Sequence, residues 1–215
     1  MARTLVIIDY GSGNLRSAQK ALARVADESG ADVDIVVTGD AERLRNADRI
    51  VLPGVGAFAD CVEGLTAVPG MVEALTDAAM HRGVPFLGIC VGMQLLASVG
   101  REFGDHDGLG WIEGEVVRLA PCGASLKIPH MGWNDLHIVA PHALLAGIDD
   151  GANVYFVHSF EFKTRDSKDI VATADYGGPF AALVARNNIA GVQFHPEKSQ
   201  AVGLRLLANF LAWSP

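Results

Sequence analysis

Val84-Pro85-Phe86-Leu87-Gly88-Ile89-Cys90-Val91-Gly92-Met93-Gln94-Leu95-Leu96-Ala97 is the stretch that sets the architecture of this chain. The apolar run from Val84 to Ile89 has the length of a buried strand, and Val91 to Ala97 reads as a helix. A strand therefore ends at Cys90 and a helix begins there. Gly88 and Gly92 flank the cysteine as in a strand–nucleophile–helix elbow, where small neighbours let adjoining segments approach closely. At a helix amino terminus, free N–H groups and the helix dipole favour a thiolate. The Val91 amide there points toward any oxyanion formed at the sulfur. The competing reading is a buried structural cysteine beside a tight turn, a common fate for a lone cysteine.

Outward from this elbow, short β-branched runs alternate with helical stretches. Leu5 to Ile8, Asp34 to Val37 and Arg49 to Leu52 read as strands. Leu15 to Ala26, a short piece at Ala41 to Leu44, Ala57 to Leu65 and Met71 to His81 read as helices. This β-α-β-α order, in strands without strict polar alternation, predicts an α/β fold with a mostly parallel sheet covered on both faces. Beyond Trp111 the strands follow one another with few helices: Val116-Val117, Asp135 to Val139, Val154 to Val157, Ile170 to Ala174, Ala182 to Val184 and Gly191 to Phe194. They predict an antiparallel extension of the main sheet. A last helix is expected from Ser199 to Trp213. With no repeat, low-complexity tract or long linker, residues 1–215 are expected to form a single domain.

The balance of 25 acidic against 17 basic residues gives a net charge of −8. That argues against general nucleic-acid binding, which needs a basic face. Cys61, Cys90 and Cys122 form no CxxC pair and no metal-ligand spacing, so neither a disulfide framework nor a metal or other cofactor is expected. The start, MARTLVIIDYG, lacks the order of a signal peptide, and no apolar stretch reaches membrane-spanning length. A cytoplasmic protein without membrane contact is the expectation.

A thiolate nucleophile needs a proton donor for its leaving group. His195 ends the apolar run from Ala190 to Phe194 and precedes Pro196, which biases it toward an extended backbone. In extended chain, Glu197 falls on the same side and accepts the second ring N–H, completing a nucleophile–base–orienter set. Taken alone, His-Pro-Glu is an ordinary turn before a helix. Pro53-Gly54-Val55-Gly56 follows the third strand at its carboxyl end, where open α/β sheets place ligands, so the Val55 or Gly56 amide offers a second oxyanion donor. As plain sequence, it is also simply a loop.

Taken together, GICVGMQ, HPE and the PG-x-G loop resemble the class I glutamine amidotransferases. Within that family, IDYGSGNLRS, LPGVGAF, KIPHMGWN, YFVHSF and HPEKSQ are similar to the glutaminase subunits of imidazole glycerol phosphate synthase. The resemblance spans nearly the whole chain. It implies the flavodoxin-like fold of the class, with Cys90, His195 and Glu197 catalytic and L-glutamine as substrate. Gly54 and Gln94 are expected at the substrate, although spacing alone would equally make Gln94 a helix-surface amide. It also implies a heterodimer with a cyclase subunit built as a (β/α)₈ barrel, which receives the ammonia. Asn14, His130, Met131, Trp133, Asn134 and Lys198 are then expected near the partner; without the resemblance, PHMGWN is an ordinary turn. Two departures stand out: Val91 replaces the commoner leucine, and Phe160 stands where tyrosine is frequent. Rival readings are a subunit serving a different acceptor, a related cysteine peptidase, and a silent binding subunit.

Overall fold

The computed structural model describes residues 2–122 and 126–215. Its first half alternates strands and helices: β1 (Arg3–Ile8), α1 (Leu15–Ser29), β2 (Val33–Thr38), β3 (Arg49–Gly54), α2 (Phe58–Ala67), α3 (Met71–Thr76), β4 (Phe86–Cys90) and α4 (Val91–Gln94). The second half runs β5 (Val99–Gly100), β6 (His106–Asp107), β7 (Gly114–Arg118), β8 (His130–Ile138), β9 (Ala152–His158), β10 (Phe160–Thr164), β11 (Ile170–Asp175), β12 (Pro179–Arg186), β13 (Ile189–Val192) and α5 (Gln200–Ala212).

Among the described residues, nine strands form the main sheet in the order β2-β1-β3-β4-β13-β12-β11-β8-β9. The pairings from β2 through β13 are parallel, and those from β13 onward to β9 are antiparallel. The expected parallel sheet with an antiparallel extension is therefore present. Its central strands are buried on both faces: Leu5 to Ile8 and Ile50 to Leu52 are fully enclosed, which is why they read as continuous apolar runs. From β1 the chain crosses to β2 on one side, and from β3 to β4 on the other. Right-handed crossovers then put α1 and α2 on opposite faces, and α5 packs beside α1. A second, four-stranded sheet, β10-β7-β5-β6, was not foreseen. Its longest pairing joins Phe160–Thr164 to Gly114–Arg118.

Two expectations need correction. The helix after Cys90 spans only Val91–Gln94. Past Leu95 the chain tightens, with Leu96 N–H donating to Met93 O and Ala97 N–H to Gln94 O; these are three-residue bonds rather than the four-residue bonds of an α-helix. Likewise Met71–His81 is not one α-helix, because Asp77–His81 widens into a π turn.

The elbow glycines are set by contact. A Cβ on Gly92 would run into the main-chain oxygen of Leu52, and one on Gly88 into that of Gly92. Backbone, unlike a flexible side chain, cannot swing aside. Gly92→Ala is therefore expected to cost at least about 1–3 kcal/mol of stability through overpacking, read as a lower urea midpoint at unchanged slope. An unmoved midpoint would refute the tight approach of β3 and α4.

Candidate active site

Three neighbouring parallel strands end at one place. Gly54 at the end of β3 pairs in register with Cys90 at the end of β4. On the other side of β4, β13 pairs Val192 with Ile89, and the chain then continues through Gln193 and Phe194 to His195. The sheet topology thus delivers the glycine loop, the sulfur and the imidazole to adjacent strand ends, the usual ligand edge of such a sheet.

Cys90 has φ 57° and ψ −112°. Only glycine enters such positive-φ regions freely, so the turn is strained, by about 1–3 kcal/mol for this kind of conformation. Constraint by Gly88 and Gly92 on either side holds it there. Cys90 is 4% exposed and borders a cavity of about 290 Å³, near the lower edge for small-molecule pockets. Val55, Gly56, Val91, Gln94 and His195 also line it. The Val91 N–H belongs to the first turn of α4 and so has no partner within the helix.

His195 is extended (φ −98°, ψ 98°), as the following proline predicts. Glu197, however, lies in a one-turn 3₁₀ helix, Pro196–Lys198. That turn, rather than strand alternation, brings its Oε1 to 2.8 Å from His195 Nδ1. Both side chains are 2% exposed. Nε2, the other ring nitrogen, is buried without a hydrogen-bond partner. Burial disfavours the imidazolium, but the Cys90 sulfur and the Glu197 carboxylate outweigh it and raise the His195 pKa to about 9. The ring is consequently charged near neutrality, with Glu197 holding its far side.

Other expected site residues are placed differently. Gly54 does not line the cavity: it packs behind it, where a Cβ would lie 2.7 Å from Gly92 N and 2.8 Å from the Tyr10 hydroxyl. Its smallness serves strand-to-elbow packing. The Val55 N–H, expected to face an oxyanion, donates to Ser12 Oγ at 3.0 Å, and Ser12 Oγ–H donates to Val55 O at 2.6 Å. Gly56 beside it has φ +103°. Asn14 turns inward, its Nδ2 3.4 Å from Glu197 Oε1.

His130 is 3% exposed and cannot form part of a docking surface. Strand alternation sends it inward and Met131 and Trp133 outward, where they are 63% and 47% exposed. The Phe160 carbonyl only accepts, so His158 donates to it through Nδ1 at 2.9 Å. His158 Nε2 then accepts from His130 Nδ1 at 2.9 Å, and His130 Nε2 accepts from Asn134 Nδ2 at 3.3 Å. Burial lowers both imidazoles to about 4, so this pair is neutral. Lys198 is exposed, with Nζ 5.7 Å over the Tyr155 ring, which in turn meets Trp133 edge-on at 5.9 Å.

Sequence reasoning missed Ser12 and Glu102. Glu102 borders the cavity, and its Oε2 accepts the Phe58 N–H at 2.7 Å at the start of α2. Nothing local in the sequence foretells that meeting of loop and helix end.

Known proteins resemble this chain along nearly its whole length. The family model described as glutamine amidotransferase class-I matches residues 6–213. The imidazole glycerol phosphate synthase subunit HisH of Rhodospirillum rubrum is 59% identical over 212 residues, covering 98% of this chain and 99% of that protein. Its counterpart in Caulobacter vibrioides is 60% identical over 213 residues, covering 99% of this chain and 100% of that protein. Among solved structures, a putative GMP synthase protein from Thermoplasma acidophilum matches with TM-score 0.68 at 21% identity, over 99% of this chain and 94% of that one. A glutamine amidotransferase structure matches with TM-score 0.70 at 20% identity, over 96% and 97%. At such identities these two speak to the fold alone.

Proposed function

Because the chain belongs to the class I glutamine amidotransferase family, we propose that it is the glutaminase subunit of an imidazole glycerol phosphate synthase. It hydrolyses L-glutamine to glutamate and ammonia, for a cyclase subunit of histidine biosynthesis. The observation that carries the chemistry is the convergence of Cys90 and the His195–Glu197 pair at the ends of adjacent strands.

In this reading the Cys90 thiolate attacks the side-chain carboxamide carbon. The C=O electrons move onto oxygen, which the Val91 amide and the Val55–Gly56 loop receive; losing one such donor typically costs about 10²–10³ in rate. His195 gives its Nε2 proton to the nitrogen, ammonia leaves, and a γ-glutamyl thioester remains. Neutral His195 then takes a proton from water, whose oxygen attacks the thioester; glutamate forms and the thiolate returns. Glu197 holds the ring throughout. Both Nε2 protons of Gln94 are committed inside the protein, so its carbonyl oxygen is what it offers to substrate. Glu102 supplies the cavity's acidic side, suited to the α-ammonium of glutamine.

The partner is a cyclase built as a (β/α)₈ barrel, forming a heterodimer in the cytoplasm, and the whole chain serves as one glutaminase domain. Its docking face is the outward strip of Met131, Trp133 and Lys198, joined through Tyr155. Among the described residues no helix is long and apolar enough to cross a membrane.

Ser12 gates the reaction by engaging both sides of the Val55 peptide, leaving its N–H unavailable to an oxyanion. Partner docking turns that peptide around Gly56. Glutaminase rates are compared for the chain alone, with the cyclase, and with cyclase plus its ligand; equal rates would rule gating out. Ser12→Ala is expected to raise the partner-free rate roughly tenfold, the shift expected from losing about one or two hydrogen bonds, and to change the fully assembled rate little. An unchanged partner-free rate would refute the latch.

A further inference from the structure

Gln193 lies between β13 and His195 and is completely buried, yet the mechanism so far gives it no part. A buried primary amide is costly unless its donors and acceptor find partners. Here those partners follow from one fixed point. The Phe160 main-chain carbonyl can only accept, so Gln94 turns Nε2 toward it at 3.2 Å. The other Nε2 proton of Gln94 goes to Gln193 Oε1 at 3.0 Å. Gln193 must then present its own Nε2 on the opposite side, and that atom lies 3.8 Å from Cys90 Sγ. A flipped amide would set two NH₂ groups against each other.

Besides His195, whose imidazole it influences, the sulfur lies 3.9 Å from the Val157 carbonyl. A neutral thiol is satisfied by donating to that carbonyl. A thiolate cannot donate and only accepts, so its polar partner in this wall is the Gln193 N–H. Hydrogen bonds to an ionised acceptor are roughly twice as strong as neutral ones. The contact therefore favours the sulfur whenever it carries charge.

We infer that Gln193 is a catalytic residue of the glutaminase reaction, its Nε2–H donating to the Cys90 sulfur as thiolate, with Gln94 as the positioning residue that aims it. The donor serves twice. It holds the charged sulfur before attack on the carboxamide, and receives it again when water opens the thioester and the C–S electron pair returns to sulfur. The inference rests on Cys90 being the nucleophile.

The test uses the chain in complex with its cyclase, carrying Cys122→Ser to remove the exposed thiol. Iodoacetamide labelling of Cys90 is followed by peptide mass against pH, beside steady-state glutamine turnover. Gln193→Glu keeps the shape but faces the sulfur with a carboxylate. Its labelling rate at pH 7 is expected to fall roughly tenfold, the equivalent of about one pH unit, and to recover as pH rises. Turnover should fall in parallel with KM for glutamine little changed. Gln193→Met should show a smaller loss in the same direction. A merely structural amide would lower the melting temperature without shifting the labelling profile. Variants that label at the parent rate at pH 7 overturn the inference. Should neither accumulate folded, Gln94→Leu carries the test with the same labelling readout, and a parent-like rate again overturns it. Continued glutamine hydrolysis by the parent after complete Cys90 labelling would instead sink the Cys90 mechanism itself.

Discussion

Cys90→Ser is expected to lower glutamine-dependent synthesis by the complex roughly 10⁴-fold or more, the scale seen when a nucleophile is removed from a covalent mechanism. Synthesis from added ammonium salts should persist. The separation follows from the site. The sulfur sits on a strained turn enclosed by Gly88 and Gly92, and the smaller hydroxyl fits without backbone movement. Folding and docking are therefore preserved while the nucleophile is weakened. An unprotonated serine alkoxide is far harder to form than a thiolate, even beside a charged imidazole. Parallel assays with glutamine and with ammonium decide the matter. Loss of both activities would show that Cys90 serves assembly, and retention of both would place the chemistry elsewhere.

Glu197→Gln is expected to reduce turnover by about 10²–10⁴, the upper figure being that for a neutralised orienting carboxylate in a hydrolase triad. Two effects combine. The amide no longer stabilises the imidazolium, and it can turn an NH₂ toward Nδ1 and select the wrong tautomer. The pH dependence separates them. In the parent, the Cys90 sulfur and the Glu197 carboxylate hold His195 at about 9 against the opposing effect of burial. The imidazolium needed to protonate the leaving nitrogen is thus present below that value and lost above it. Removing the carboxylate lowers this pKa, so the alkaline limb of kcat should move toward neutrality. A lower rate with an unshifted limb would assign Glu197 to orientation alone.

The parts of the fold held by local pattern were legible in the sequence. Leu5 to Ile8 and Ile50 to Leu52 are buried on both faces and read as apolar runs. What depended on distant pairing was not. Phe160–Thr164 becomes a strand only because it meets Gly114–Arg118 in a second sheet. Leu95 to Ala97 continue the apolar character of α4 but are enclosed in tight turns, a distinction hydrophobicity does not encode. The site shows the same division. Cys90, His195 and Glu197 stood out because each sits at a chain punctuation, an elbow or an X-Pro step. Family likeness placed the whole 130–134 segment at the partner, but alternation along β8 divides it: His130 faces inward, Met131 and Trp133 outward. Starting that strand at Asp135 concealed the alternation. Ser12, Glu102 and Gln193 act through contacts across the fold, for which no spacing rule exists.

The pairing of β8 with β9 carries a thermodynamic obligation. Met131 and Trp133 stand opposite Val157 and Tyr155, whose carbonyls meet the Cys90 sulfur and accept the His195 main-chain N–H at 2.9 Å. The outer strip and the reacting groups therefore share one ladder. Whatever factor the cyclase adds to glutamine affinity through it, glutamine must return in equal measure to cyclase affinity.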